Sequence, residues 1–348
     1  SLFLVPKFLP DASNEPGEAN SLSVGSIEHK MGIKASPTCV MNFDGATGYL
    51  VGEENQGLAC MFTMMNDARF QVGLQGLGAA EASYQGALTY ARERVQSRAP
   101  QGIQNPEGKA DPIVFQPDVA RMLLTQKSLI EGCRALSLFY AKFMDVEKLG
   151  EGQEKEDADK ILQFLTPICK AFMTDMGLET TSLGVQVFGG HGFIREWGQE
   201  QHVRDIRITQ IYEGTNGIQA LDLMGRKIVG NNGAFYKLFE QDVNDFIASQ
   251  AANTAAAEFI EPLKAAMENL ADLTQWVIDQ AQGNPNEIGA ASLEYLHVFG
   301  YAAYAYMWAR MAVVSLPKAN EDFYKAKLAT ARFYIKRVLP RYIGLSAV

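Results

Sequence analysis

Cysteine and histidine are scarce in this chain, with four of each among 348 residues. Cys39, Cys60, Cys133 and Cys169 stand far apart with no Cys-x-x-Cys pair, which argues against a disulfide framework and a zinc module alike. His29, His191, His202 and His297 form neither a His-Glu-x-x-His pattern nor a Cys/His cluster, so no metal centre is expected. Any redox chemistry then has to come from an organic cofactor. Basic charge is not in excess either: the net charge is −9, so neither nucleic acid nor an anionic membrane surface is expected as a partner. No apolar run approaches the roughly 18 to 20 residues of a membrane span. No basic segment followed by an apolar core opens the chain in the manner of a signal peptide. A cytoplasmic, reducing location is the simplest expectation. An initiating methionine is also lacking, and Ser1 to Phe8 (SLFLVPKF) already reads as an apolar strand, so the chain is expected to be a piece of a longer protein.

What is there suffices for a large core: 47% of residues are hydrophobic and 20% charged. About two domains fit the usual 100 to 200 residues per domain. Residues 1–57 read as strand and turn, punctuated by Pro6, Pro10, Gly17, Gly25 and Gly45. Short runs such as Thr38 to Phe43 and Gly48 to Val51 are too little for a closed sandwich, so partner strands are expected to precede Ser1. From Leu58 to about Lys227 the composition turns to Ala, Leu, Met, Gln and Glu, all good helix formers. Val119, Leu123, Ile130, Cys133, Leu136 and Tyr140 recur at steps of three, four or seven, which makes one apolar helical face. Helices are expected over about 58–98, 117–146 and 155–188, with a Pro/Gly-rich break at Ser97 to Pro117 and a charged loop at Gly150 to Lys160. A fourth helix should open near Glu213, and an antiparallel bundle is the natural packing. After Gly230-Asn231-Asn232-Gly233, helices are expected over about 235–281, 287–315 and 319–338, as an appendage for packing or oligomerisation. The expected fold is thus mainly α: a partial β-domain (1–57), an antiparallel four-helix bundle (58–230) and an extra C-terminal helical domain (231–348).

The chemistry concentrates in Gly184 to Gln219 (GVQVFGGHGFIREWGQEQHVRDIRITQIYEGTNGIQ). A glycine cluster, Gly189, Gly190 and Gly192, follows a long helix. An acid, Glu213, sits in a second turn beside Gly214 that opens another helix. Small residues let a backbone approach a bulky ligand, and a helix start offers N–H groups to an anion or a carbonyl oxygen. Here the chain resembles the acyl-CoA dehydrogenase family. Ile211-Tyr-Glu-Gly-Thr215 matches the family's catalytic turn and Gln186-x-x-Gly-Gly-x-Gly192 its flavin-contacting turn, with the 27-residue gap between Gln186 and Glu213 also in agreement. Arg69 and Arg94, 25 residues apart, match a substrate-side and a flavin-phosphate arginine, and the run from Gly25 to Val51 looks like the closing strands of the family's middle β-domain. The resemblance covers about residues 1–228. Within the family, SLFLVPKFLPDASNEPG, IYEGTNGIQ and the long helical extension look most like the 3-methylmercaptopropionyl-CoA dehydrogenase branch.

The resemblance implies FAD-dependent α,β-dehydrogenation of an acyl-CoA, with Glu213 as the base that takes the α-proton. It implies Arg94, Gln186, Gly189, Gly190 and Thr215 as FAD-binding residues, and Arg69, Tyr212 and Gly214 on the substrate side. It also implies a homodimer or homotetramer with the flavin at the subunit interface, and electron-transfer flavoprotein as the acceptor. Gly217 departs from the family pattern, which has Gln there, so no side-chain role is carried over. Plainer readings stand beside these. Glu213 could be an acid favoured in a first helical turn, Arg94 a helix-end cation, Arg69 a partner of Asp67, and Arg204 with Asp205 a structural ion pair. His191 could be a packing residue, and Met61, Met64 and Met65 simple core. The same residues also allow an acyl-CoA oxidase, or a helical assembly module without catalysis.

Overall fold

Short runs, most of them apolar or β-branched and bounded by Pro, Gly or Asn, give six brief strands at the start of the chain. β1 (Leu2–Leu4) pairs antiparallel with β6 (Tyr49–Val51), β2 (Phe8–Pro10) with β3 (Pro16–Ala19), and β4 (Leu22–Ile27) with β5 (Cys39–Phe43). The buried Asn20 carboxamide ties the loops together, donating to Pro6 O at 2.9 Å and Thr47 O at 2.8 Å and accepting from Thr47 N at 2.9 Å. Each sheet has only two strands, and together they expose Phe3, Phe8, Val24, Ile27, Phe43 and Leu50. Two-stranded ribbons with apolar faces in water are marginal by themselves. This computed structural model describes residues 1–284 and 286–348.

Contacts divide the chain into two compact units, residues 1–69 and 70–348. The division falls inside the first long helix, α1 (Gly57–Glu93). That helix ends five residues earlier than the expected 98, because Arg94 turns into the loop. Met61, Met64 and Met65 are absent from the buried core, contrary to the plain reading of them.

In the second unit, α2 (Pro117–Leu149) and α3 (Gly152–Phe188) are joined by only Gly150 and Glu151, which forces them antiparallel. The expected charged loop at 150–160 is therefore mostly helix: its Glu, Lys and Asp residues are helix-compatible and face solvent on the first turns of α3. A short α4 (Gln199–Ile206) follows. The fourth bundle helix is α5 (Asn216–Leu221), continued by a π-helical stretch at Asp222–Ile228. The remainder is α6 (Ala234–Ser249), α7 (Ala257–Gly283), α8 (Asn286–Ala290), α9 (Ser292–Ser315), α10 (Asp322–Phe333) and α11 (Arg341–Ser346). The single helix expected over 235–281 is broken at Gln250–Ala256. The Ala-rich sequence carries no proline or glycine there, and the break lets α7 turn back on α9. Among the described residues, no helix is long and apolar enough to cross a membrane.

Seventeen of the 24 residues of α9 are buried, so this helix is covered on all sides rather than along one stripe. It packs against α2, α3 and α5 as well as α7, α10 and α11. The helices after Gly230 and the bundle therefore share one core. Two glycines permit the close approach: a Cβ on Gly300 would lie 2.3 Å from the Phe172 ring, and one on Gly132 2.7 Å from Tyr304. Trp308 Nε1 donates to Ser128 O at 3.1 Å, fixing the register of α9 on α2.

The loop between α1 and α2 is organised by Asp111, which has no exposed surface. Its carboxylate accepts N–H bonds from Ala99 (2.8 Å), Gln104 (2.9 Å) and Asn105 (2.7 Å), and an ion pair from Arg98 (3.2 Å). Burial alone raises its pKa, but those backbone donors and the guanidinium outweigh it and hold the carboxyl below its ordinary 3.8.

Two outcomes follow. Gly300→Ala should lower the stability of the chain by about 1–3 kcal/mol, the range for overpacking a filled core, read by chemical denaturation. For Asp111, a depressed folded-state pKa means that its contribution is complete above the ordinary Asp value and lost as pH falls through the folded one. Thermal melts between pH 6 and about 3 should show a fall in the native chain below about pH 4 that is smaller in Asp111→Asn.

Candidate functional site

The turn that carries Glu213 is built from a buried cation outward. Lys170, in the middle of α3, has no exposed surface. Its Nζ donates to Gly214 O at 2.6 Å and to Asn216 Oδ1 at 2.8 Å. Asn216 Nδ2 in turn donates to Asp175 Oδ1 (2.7 Å), Thr174 Oγ1 (3.0 Å) and Ala171 O (3.2 Å). Gln210 Nε2 reaches the same Asp175 oxygen at 2.6 Å, while His297 Nε2 lies 2.8 Å from Asp175 Oδ2. From the other side, Gln219 Nε2 donates to Glu213 O at 3.2 Å. Both carbonyls of the Glu213-Gly214 dipeptide are thus held by side chains.

So held, Glu213 adopts φ +56° and Gly214 φ +86°. A left-handed glutamate costs roughly 1–2 kcal/mol, a local strain that the network around Lys170 sustains. Glycine is favoured next to it by that left-handed φ, and a Cβ on Gly214 would in addition push Gln219 Nε2, 2.6 Å away, off Glu213 O. Glu213 is half-buried, and its N–H donates to no group among the described residues. Thr215 caps α5, its Oγ1 accepting from Ile218 N at 3.3 Å. Tyr212 donates its hydroxyl to Gln75 Oε1 on α1. Burial raises the Tyr212 pKa, with the Gln75 hydrogen bond opposing and the Glu213 charge adding to the rise, so the phenol stays protonated at neutral pH.

The glycine turn lies elsewhere on the same helix. Gln186 closes α3 sixteen residues after Lys170, about 24 Å further along the axis at 1.5 Å per residue. Gly189 takes φ +59° and its N–H caps Gln186 O. A Cβ on Gly189 or Gly190 would meet nothing within 4 Å, so the outer face of this turn is open. His191 locks the turn to the end of α1, with Nδ1 2.9 Å from Tyr90 Oη and its ring stacked on Trp197 at 4.3 Å. Tyr90 also stacks on Phe188 at 4.2 Å. Arg94, one turn beyond Tyr90, is therefore near the glycine turn, exposed and without a side-chain hydrogen bond or ion pair among the described residues.

Gln186, Gly189, Gly190 and Arg94 thus gather at one end of the bundle, while Tyr212, Glu213, Gly214 and Thr215 form a second locus. Arg69 belongs to the first unit, where it donates to Asn66 Oδ1 at 3.1 Å and lies over the Phe62 ring at 5.7 Å. Arg204 pairs with Glu200 at 2.9 Å within α4. No group of three metal-binding side chains occurs among the described residues. The sequence reading missed Lys170, Asp175, Asn216, Gln219 and His297. The one available signal was a lysine inside the apolar run Thr166-Pro-Ile-Cys-Lys-Ala-Phe-Met173.

The family model described as acyl-CoA dehydrogenase, C-terminal domain, matches residues 55–228, and that described as acetyl-CoA dehydrogenase C-terminal like matches 239–348. The chain belongs to the acyl-CoA dehydrogenase family. Among curated relatives, 3-methylmercaptopropionyl-CoA dehydrogenase of Ruegeria pomeroyi is 42% identical over 97% of this chain and 58% of its own length, and it is the protein for which the expected branch is named. A butyryl-CoA dehydrogenase of Syntrophomonas wolfei is 33% identical over 99% of this chain and 58% of its own. The chain therefore spans somewhat over half the length of these relatives. Caenorhabditis elegans ACDH-11, solved in complex with C11-CoA, has the same fold at a TM-score of 0.76 and 20% identity, over 94% of this chain and 51% of that one. An acyl-CoA dehydrogenase of Bacillus anthracis complexed with FAD aligns at 0.68 and 17% identity, over 94% and 56%.

Replacing Lys170 by Met should leave Gly214 O without its donor and Asn216 Oδ1 with only the 3.5 Å hydrogen bond from Thr174 Oγ1. A stability loss of about 1–3 kcal/mol is expected, the cost of one orphaned buried polar group; denaturant titration of the chain measures it.

Proposed function

We propose that this chain carries the base and part of the cofactor-binding surface of an FAD-dependent enzyme that dehydrogenates acyl-CoA thioesters between Cα and Cβ. The observation that carries the reading is a carboxylate, Glu213, presented on a strained turn whose own N–H is unpartnered. A thioester α-proton is weakly acidic, so its removal needs both a base and a donor for the charge that builds on the carbonyl oxygen. Glu213 is the base, and its backbone N–H supplies one such donor. Gly214 leaves room for the thioester, and Tyr212, neutral and fixed to Gln75, lines the approach. Arg69 is read as a substrate-side cation.

The residues present fit FAD. An exposed unpaired guanidinium, Arg94, suits a phosphate, and the open turn at Gly189 and Gly190 beside Gln186 suits close backbone approach. Thr215, exposed at a helix start, is a further donor. FAD, when bound, accepts the hydride that leaves the β-carbon. The helix length between the two loci supports a homodimer or homotetramer in which Gln186, Gly190 and Arg94 serve a neighbouring subunit's flavin. Electron-transfer flavoprotein as acceptor and a cytoplasmic location complete the reading. So does a division into a β-domain remnant (1–57), the bundle (58–230) and an additional helical domain (231–348), for which the two matched family models are the support.

The test uses the protein extended to the full length of its relatives. Glu213→Gln should lower acyl-CoA-dependent flavin reduction by about 10²–10⁴-fold, the usual contribution of a general base, with the visible flavin spectrum retained. Undiminished reduction would remove Glu213 from its role.

A further inference from the structure

The helices after Gly230 carry no motif of their own, yet one of their side chains is joined to the catalytic turn. His297, on α9, lies 2.8 Å from Asp175 Oδ2 and packs edge-on against Phe172 at 5.7 Å between ring centroids. From Asp175 the path is unbroken: Oδ1 accepts from Asn216, Asn216 Oδ1 accepts from Lys170, and Lys170 donates to Gly214 O, the peptide carbonyl next to Glu213. Four polar contacts thus separate α9 from the turn.

We propose that His297 is a positioning residue for Glu213, so that the C-terminal helices hold the base in its left-handed conformation. The kinetic side of this rests on the dehydrogenase reading; the structural side does not. Asp175, Asn216 and Lys170 are all largely withdrawn from water, and a buried network is stable only while each member keeps its partners. Gln210 and Asn216 both use Oδ1 of Asp175, which leaves Oδ2 to His297 alone among the described residues. Take that donor away and the carboxylate has to turn toward another. The donors already at hand are the amides of Gln210 and Asn216 and, behind Asn216, the Lys170 ammonium. A turn toward Asn216 or Lys170 loosens the grip on Gly214 O. The strain at Glu213 then has a path to relax, because a non-glycine residue at φ +56° persists only while its surroundings over-determine it.

Position along the chain supports a dedicated contact. His297 stands at the one polar place in the otherwise apolar run Tyr295 to Ala305, and its neighbours Leu296, Val298 and Phe299 are buried in the core. An apolar residue would serve packing at that place equally well; a ring nitrogen is needed only if Asp175 must be bonded.

Hydrogen–deuterium exchange on the 348-residue chain tests this without any cofactor. His297→Leu should speed exchange of the hydrogen-bonded amides Ile218 and Gln219 in the Glu213–Gln219 turn by about tenfold or more, the equivalent of one charge-assisted hydrogen bond, with α6 and α10 unchanged. His297→Gln, which keeps an N–H donor, should restore slow exchange. Should the leucine variant fail to fold, His297→Asn, whose shorter amide falls short of Asp175, replaces it. In the protein extended to the length of its relatives, His297→Leu should lower kcat by about 10–100-fold with KM within about twofold, as expected for a misplaced base, and His297→Gln should recover most of it. Unchanged exchange at Glu213–Gln219, or equal acceleration in the Gln variant, overturns the proposal. If turnover survives Glu213→Gln, the dehydrogenase reading falls while the exchange result stands by itself.

Discussion

A lysine ammonium with no exposed surface has to be hydrogen-bonded by the protein, because burial of an uncompensated charge costs far more than one domain can absorb. Lys170 meets this demand by gathering a backbone carbonyl and an asparagine from a segment more than forty residues away. That requirement fixes where the Glu213 turn sits on α3, which way its carbonyls point, and hence where its N–H and carboxylate face. The strain of a left-handed glutamate is a consequence: the turn is closed by partners on both sides, and the backbone takes the conformation that satisfies them.

The same helix serves the second locus by geometry alone. α3 is long enough to carry Lys170 in its middle and Gln186 near its end, so the two turns are spaced by helical rise and not by a flexible linker. Around the glycine turn, the aromatic cluster of Tyr90, Phe188, His191 and Trp197 does for shape what Lys170 does for charge, binding the end of α3 to the end of α1. His191 is thereby accounted for as a packing and hydrogen-bonding residue.

Much of this was legible beforehand. The long helices of the bundle follow from apolar periodicity and good helix formers, and the two glycine turns announce themselves by composition. Where the reading failed, a local signal was misleading or missing. GEGQEKEDADK looks like a solvated loop, but its residues are also good formers of an exposed first helical turn, so α3 begins earlier. The break at 250–256 has no proline or glycine to mark it; it exists because α7 must return along α9. The methionines near Arg69 follow a core-like spacing and yet stay out of the core.

By itself the sequence determined the class of fold, the helical faces, and the turns that bear Glu213, Gln186 and Gly190, because those depend on local propensity, periodicity and the steric freedom of glycine. Only the tertiary structure decided what holds those turns. The partners Lys170, Asp175, Asn216 and His297 come from α3, α5 and α9, and no spacing rule links residues so far apart in the chain. Their association follows from the need to satisfy buried polar groups once α9 has packed against the bundle, a condition that arises only when the core is formed.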